Sequence, residues 1–106
     1  MATVQVAYLG GGTLTGSAAA YVTAPANTTY VIKKAVFTNT DVAARTITVH
    51  RVASGGSATA ANMIISAFSL SAGQTYEATS LGNMVMGPGV TLQALASTTS
   101  VVNIFV

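Results

Sequence analysis

Charged residues are scarce in this chain, and their scarcity limits the secondary structure that the chain can form. Only six of its 106 residues, or 6%, are Lys, Arg, Asp or Glu, against about 25% in an ordinary globular domain. A surface helix needs a polar, usually charged, face opposite an apolar stripe, and no window of helical length keeps that pattern. Thr, Val, Ile and Tyr are enriched instead, which favours strands.

Eight short segments are predicted to be β-strands, separated by turn-forming clusters of Gly, Pro, Asn and Ser. Alternation is clearest around Ile47 and Val49, which share one face, while Thr48 and His50 lie on the other, so one face is predicted to be buried and one wet. Both faces of the last segment are largely apolar, which predicts a strand held in a sheet and covered on both sides. The predicted strands are residues 3–9, 19–23, 29–38, 46–53, 63–70, 75–81, 90–96 and 101–106. Their regular spacing is typical of a sandwich or barrel.

Length and composition exclude several classes of protein. The length predicts one domain over residues 1–106. The chain has no Cys, which excludes disulfide frameworks, Cys-based zinc sites and thiol nucleophiles. Neither a basic segment nor a long apolar segment follows Met1, so we expect no cleaved secretory signal. No apolar run approaches the roughly 18 residues of a membrane helix, so we expect no membrane partner.

Four stretches resemble the small β-rich virion proteins of tailed bacteriophages. They are YVIKKAVFTNT at 30–40, TITV at 46–49, SGGS at 54–57 and LSAGQT at 70–75. The resemblance covers residues 20–106 and is a pattern of strands and turns rather than a catalytic motif. It implies a β-sandwich that serves as a capsid cement or decoration protein, or as part of a tail or fibre, commonly with threefold symmetry.

Strand spacing and resemblance together predict one all-β, jelly-roll-like sandwich of about seven or eight strands. The function that the resemblance implies is that of a phage capsid cement or decoration protein, a homotrimer that binds the outer surface of the major capsid protein shell and stabilises it. We expect it on the capsid surface of the virion, after synthesis in the host cytoplasm.

One alternative is a tail, baseplate or fibre component. A second is a carbohydrate-binding module, which calls for a planar row of exposed aromatic rings. The chain has no Trp, and its tyrosines are scattered over different strands: Tyr8, Tyr21, Tyr30 and Tyr76.

The basic residues form the one local feature that suggests a binding site. They are Lys33, Lys34, Arg45 and Arg51. If the segments flanking residues 39–44 pair as a hairpin, Lys33 falls near Arg51 and Lys34 near His50, and these like charges repel. Docking on an acidic protein surface such as a shell lattice would relieve that repulsion. The alternative is that these residues protect an exposed sheet edge. Four cations with two neighbouring aromatic rings do not suggest nucleic acid binding.

The remaining ionisable residues do not suggest catalysis. A triad would need His50, the sole His, with Asp41 or Glu77, and the chain has no Gly-x-Ser-x-Gly. We therefore expect no enzyme activity, no metal and no cofactor. His50 is expected on the wet face of its strand, with a subunit contact as the alternative, and Asp41 is expected to build a turn with Asn39. Glu77 is expected to be solvated or paired with a basic residue, and the glycines at 10–12 to form a flexible turn.

Overall fold

A computed structural model of the chain describes residues 2–3 and 10–106. This part is all-β, as predicted, with no α-helix among the described residues. Short 3-10 turns lie at Ala60–Asn62 and Thr79–Leu81. The strands are β1 (Ala2–Thr3), β2 (Gly11–Thr13), β3 (Ala19–Thr23), β4 (Thr28–Ile32), β5 (Val36–Asn39), β6 (Arg45–Val52), β7 (Met63–Leu70), β8 (Thr75–Glu77), β9 (Met84–Met86), β10 (Thr91–Ala96) and β11 (Val102–Phe105).

The strands form two four-stranded sheets, in the orders β3-β10-β6-β7 and β2-β11-β5-β8, and a smaller sheet in the order β1-β4-β9. Among the described strands, all pairings are antiparallel except that of β1 with β4. Side chains from both large sheets meet in one core, among them Phe37, Ile47, Leu92 and Ile104, all fully buried. This arrangement is consistent with the predicted β-sandwich.

Five of the antiparallel pairs are nested inside one another. Each joins one strand from the first half of the chain to one from the second half. For every pair of facing residues, the midpoint in sequence lies within one position of Ser57. The chain from β2 to β11 is therefore one long ribbon that turns back at residues 53–62, which we call the hinge segment. Representative pairs are Thr13 with Asn103, Thr23 with Thr91, Val31 with Val85, Val36 with Glu77 and Arg45 with Leu70. The ribbon coils so that β11 lies beside β5 and β10 beside β6.

The predicted strand at 29–38 is two strands, β4 and β5, which belong to different sheets. Strand β5 pairs with β11 and β8, whereas β6 pairs with β10 and β7. The hairpin expected between 29–38 and 46–53 is therefore wrong, because the chain crosses from one sheet to the other at 39–44. Most of the predicted strand at 3–9 lies outside the described residues.

The glycines at 10–12 were expected to form a flexible turn, and this expectation is wrong. Gly11 begins strand β2, which pairs with β11. Gly10 accepts a hydrogen bond from the Val106 amide at 3.0 Å. A Cβ on Gly10 would collide with the Tyr21 carbonyl oxygen, so the glycine permits close approach of two strands.

The last strand, β11, lies between β2 and β5. Val102 and Ile104 are buried in the core, which confirms that the final apolar segment is held in a sheet. Phe105 is 51% exposed, so the second face is not fully covered within one chain.

Asn39 is a fully buried polar residue that joins two turns between the large sheets. Its Nδ2 atom donates to the carbonyl oxygens of Ala43, Leu70 and Ser71 at 3.0, 3.2 and 3.1 Å. Its Oδ1 atom accepts from the Asp41 amide at 3.0 Å. One side chain therefore holds the turn from β5 to β6 against the end of β7.

We expect Asn39→Ala to lower the free energy of unfolding by about 2–4 kcal/mol, because it removes the buried hydrogen bond to the Leu70 carbonyl and three further hydrogen bonds made by a fully buried side chain. Urea denaturation measures this change. Asn103→Ala is the control, because Asn103 accepts one hydrogen bond from Thr13 at an exposed site, and we expect it to cost less than about 1 kcal/mol. Equal decreases in the free energy of unfolding in the two variants would contradict the role of Asn39 in holding the two turns together.

Candidate functional site

The four basic residues do not form one cluster. Arg45 and Arg51 lie near opposite ends of β6, about 20 Å apart at the usual rise of a strand. Lys33 and Lys34 lie in the connection between β4 and β5. The pairings expected from the hairpin have no structural basis, since β6 is bordered by β10 and β7.

Arg45 is neutralised within its own turn. Its Nε atom donates to Asp41 Oδ2 at 2.7 Å, and its Nη2 atom lies 2.5 Å from the same oxygen. The other carboxylate oxygen accepts the Val42 amide at 2.7 Å. The Arg45 guanidinium and then the Val42 amide hold the pKa of Asp41 below its ordinary value. The interpretation of Asn39 and Asp41 as turn builders is confirmed.

Lys34 and Glu77 form a looser pair at the surface. The Lys34 Nζ atom lies 3.8 Å from Glu77 Oε1, and both side chains are more than half exposed. Such a pair contributes little to stability because water screens it. It offsets Lys34 in the balance of charges, and it confirms the interpretation of Glu77 as an ion-pair partner.

Arg51 binds backbone rather than a carboxylate. Its Nε and Nη2 atoms donate to the Val85 carbonyl oxygen at 3.1 and 2.9 Å. Val85 lies in β9, at one edge of the three-stranded sheet. The guanidinium binds a backbone carbonyl that the edge strand would otherwise leave open to another strand. This favours the interpretation that Arg51 protects a sheet edge.

Lys33 is exposed, and no ion pair to it is found among the described residues. The chain has a net charge of +2, and the two ion pairs cancel two cations against both carboxylates. The net charge therefore lies at Lys33 and Arg51.

The expectation that His50 lies on a wet face is wrong. His50 is 4% exposed. It stands opposite Gln93, on the face turned away from Val49 as alternation predicted, but the hinge segment folds over that face. His50 Nδ1 lies 3.0 Å from the Thr59 carbonyl oxygen and 2.9 Å from Asn62 Oδ1. Both partners are acceptors, so Nδ1 carries a proton.

Asn62 organises the hinge segment around His50. Its Oδ1 atom also accepts the Thr59 amide at 3.0 Å, and its Nδ2 atom donates to the Ser57 carbonyl at 2.8 Å. Sequence reasoning missed Asn62 because nothing in its local pattern connects it to a strand twelve residues away. The three-residue spacing from Thr59 to Asn62 is typical of a capping box at the start of a helical turn, and it was the signal that could have identified Asn62.

Two of the four tyrosines have identified structural partners. No group of three His, Asp or Glu side chains suited to a metal lies within residues 2–3 and 10–106. Tyr21 donates to the Thr13 carbonyl at 2.9 Å, and Tyr76 stacks on Phe68 with ring centroids 4.3 Å apart. Tyr8 lies outside the described residues. The helical turns in the described part are too short to cross a membrane.

We expect Asp41→Asn to destabilise the protein near about pH 7 and to make little difference near about pH 2. The folded pKa of Asp41 is lowered from 3.8. Its ionised form therefore stabilises the fold above the unfolded pKa of about 3.9, and this contribution is lost as the pH falls through the folded pKa. Urea denaturation at both pH values measures it. Glu77→Gln is the control for removal of a carboxylate. We expect it to lower the free energy of unfolding at about pH 7 by less than Asp41→Asn does. A pH-independent difference between wild type and Asp41→Asn would contradict this role.

We expect Asn62→Ala to open the hinge segment. The substitution removes one of the two acceptors of His50, the acceptor of the Thr59 amide and the donor to Ser57, so the Thr59 amide should exchange hydrogen at least about tenfold faster. Hydrogen exchange followed by NMR measures this rate, with Asn103→Ala as the control. Unchanged protection of Thr59 would show that the covering of His50 depends on other contacts.

Comparisons with known proteins do not assign the chain to a family: no family model, no curated protein and no solved structure matches it.

Proposed function

We propose that this protein is a structural component of a phage virion, a capsid cement or decoration protein that binds the outer surface of the major capsid protein shell and stabilises it. The observation that carries the proposal is the near absence of unpaired charge on the described surface. Two ion pairs neutralise four of the six charged residues. Such a surface suits lasting contact with protein better than independent existence in solution.

Exposed apolar side chains would supply contact area. They lie on several strands and on one turn: Val31, Val42, Met63, Phe68, Val85 and Phe105. Strand β7 is an edge strand without any charged residue. Edges of this kind favour association with another protein. This supports self-association, which we propose yields a homotrimer, as the resemblance implies.

We further propose that the two large sheets form a jelly roll. In support, the eight strands of these sheets, taken in chain order, pair first with eighth, second with seventh, third with sixth and fourth with fifth. A jelly roll wraps one long antiparallel ribbon into two sheets in this way. The fold occurs in viral capsid domains and in lectins, so it supports a virion role only by analogy.

The proposed mechanism requires no chemistry, so we propose that the protein is not an enzyme and uses no cofactor. A decoration protein bridges neighbouring shell subunits, and its many small contacts raise the barrier to their separation under internal pressure. Asp41, Glu77 and His50 each have a partner that accounts for them structurally. The proposed location is the capsid surface, after synthesis in the host cytoplasm.

Quantitative mass spectrometry of virions purified from the source, with heads and tails separated, tests the proposal. We expect copies comparable in number to the major shell protein and confined to heads. A few copies confined to tails would support the tail, baseplate or fibre alternative. Absence from both fractions would contradict a virion role, and a glycan-binding screen would then test the carbohydrate-binding alternative.

A further inference from the structure

The outer face of the β4–β9 pair carries two exposed valines. Val31 and Val85 stand directly opposite each other and are 41% and 53% exposed. Their neighbours Ile32 and Met86 are fully buried, so the two strands turn one face to the core and the valines to the outside. We call the surface formed by Val31, Val85, Lys33 and Arg51 the valine face.

Two cations have no carboxylate partner within residues 2–3 and 10–106, and both border these valines. Lys33 follows Val31 by two residues, so their Cα atoms lie within about 7 Å of each other. The exposed Lys33 and Val31 flank the buried Ile32. On the other side, the Arg51 guanidinium lies against the Val85 carbonyl, with two hydrogen bonds at 3.1 and 2.9 Å.

The valine face combines an apolar centre with a positive rim. The other two cations are neutralised by Glu77 and Asp41, so the net charge of +2 lies beside Val31 and Val85. Protein interfaces commonly have an apolar centre and a polar rim, and their rims match in charge. Arg51 is also held in place by Val85 before any partner binds, which lowers the entropy lost on association.

We infer that the valine face is the surface by which this protein docks, and that its partner presents an apolar patch bordered by Asp and Glu. The inference rests on the proposed function, under which the partner is the virion surface. It replaces the expectation of a four-residue basic site, because Lys34 and Arg45 already bind carboxylates of their own chain.

Matched pairs of variants test this surface. Lys33→Gln and Lys34→Gln remove the same charge from the whole protein, but only Lys33 borders the valines. Val85→Thr and Val42→Thr each replace an exposed valine, and Val42 is 94% exposed in the turn between Asp41 and Arg45. Thr suits an exposed strand position, so Val85→Thr should keep the fold. Arg51 is a poor probe, since its loss would also disturb β9.

The experiment measures binding of isotope-labelled wild-type protein and variants to source virions stripped of their own copies, by quantitative mass spectrometry. We expect Lys33→Gln and Val85→Thr each to weaken binding about three- to tenfold at low salt, and the two controls to stay within about twofold of wild type. The effect of Lys33→Gln should shrink at high salt. Thermal unfolding verifies that all four variants are folded.

The outcomes separate the docking surface from the function. If wild type binds heads and all four variants bind equally well, the valine face is not the docking surface, while the proposed function stands. Equal weakening by Lys33→Gln and Lys34→Gln would show that total charge, not the valine face, governs binding. If wild type binds no virion fraction, both the proposed function and this inference are overturned.

Discussion

The antiparallel pairing of the two halves of the chain is the constraint on which the rest of the structure depends. Each of five strands before Ser57 pairs with one after it, in nearly constant register. A strand shifted by one residue would turn its core side chains outward, so this register also determines the core. Most pairs join residues distant in sequence, and such a topology folds slowly because each pair must first close a long loop.

Two buried polar residues hold the places where this ribbon bends. Asn39 joins the turns by which the chain crosses between the large sheets, and His50 anchors the hinge segment through Asn62 and Thr59. In both cases a buried side chain donates to backbone carbonyl oxygens of a turn. These bonds matter because an unpaired polar group in the interior is costly. Asn39 and His50 therefore connect parts of the chain that the strand ladders leave unjoined.

The same pairing determines where charge remains. Pairing of β5 with β8 brings Glu77 within reach of Lys34, and the contact between two sheets brings β9 within reach of Arg51. With Arg45 bound to Asp41, the positive charge is left at Lys33 and Arg51 beside exposed Val31 and Val85. Because the rest of the described surface carries so little unpaired charge, this region differs from it, which is why we propose it as the docking surface.

The sequence by itself determined the all-β class, the turn at Asn39 and Asp41, and a final strand within a sheet, because these follow from local propensity, side-chain chemistry and apolar pattern. Only the tertiary structure decided strand partners, the burial of His50 and the separation of the four cations. Partners depend on the register of segments far apart in the chain, and alternation reports which face a residue is on. It does not report what covers that face, and at His50 the cover is the hinge segment.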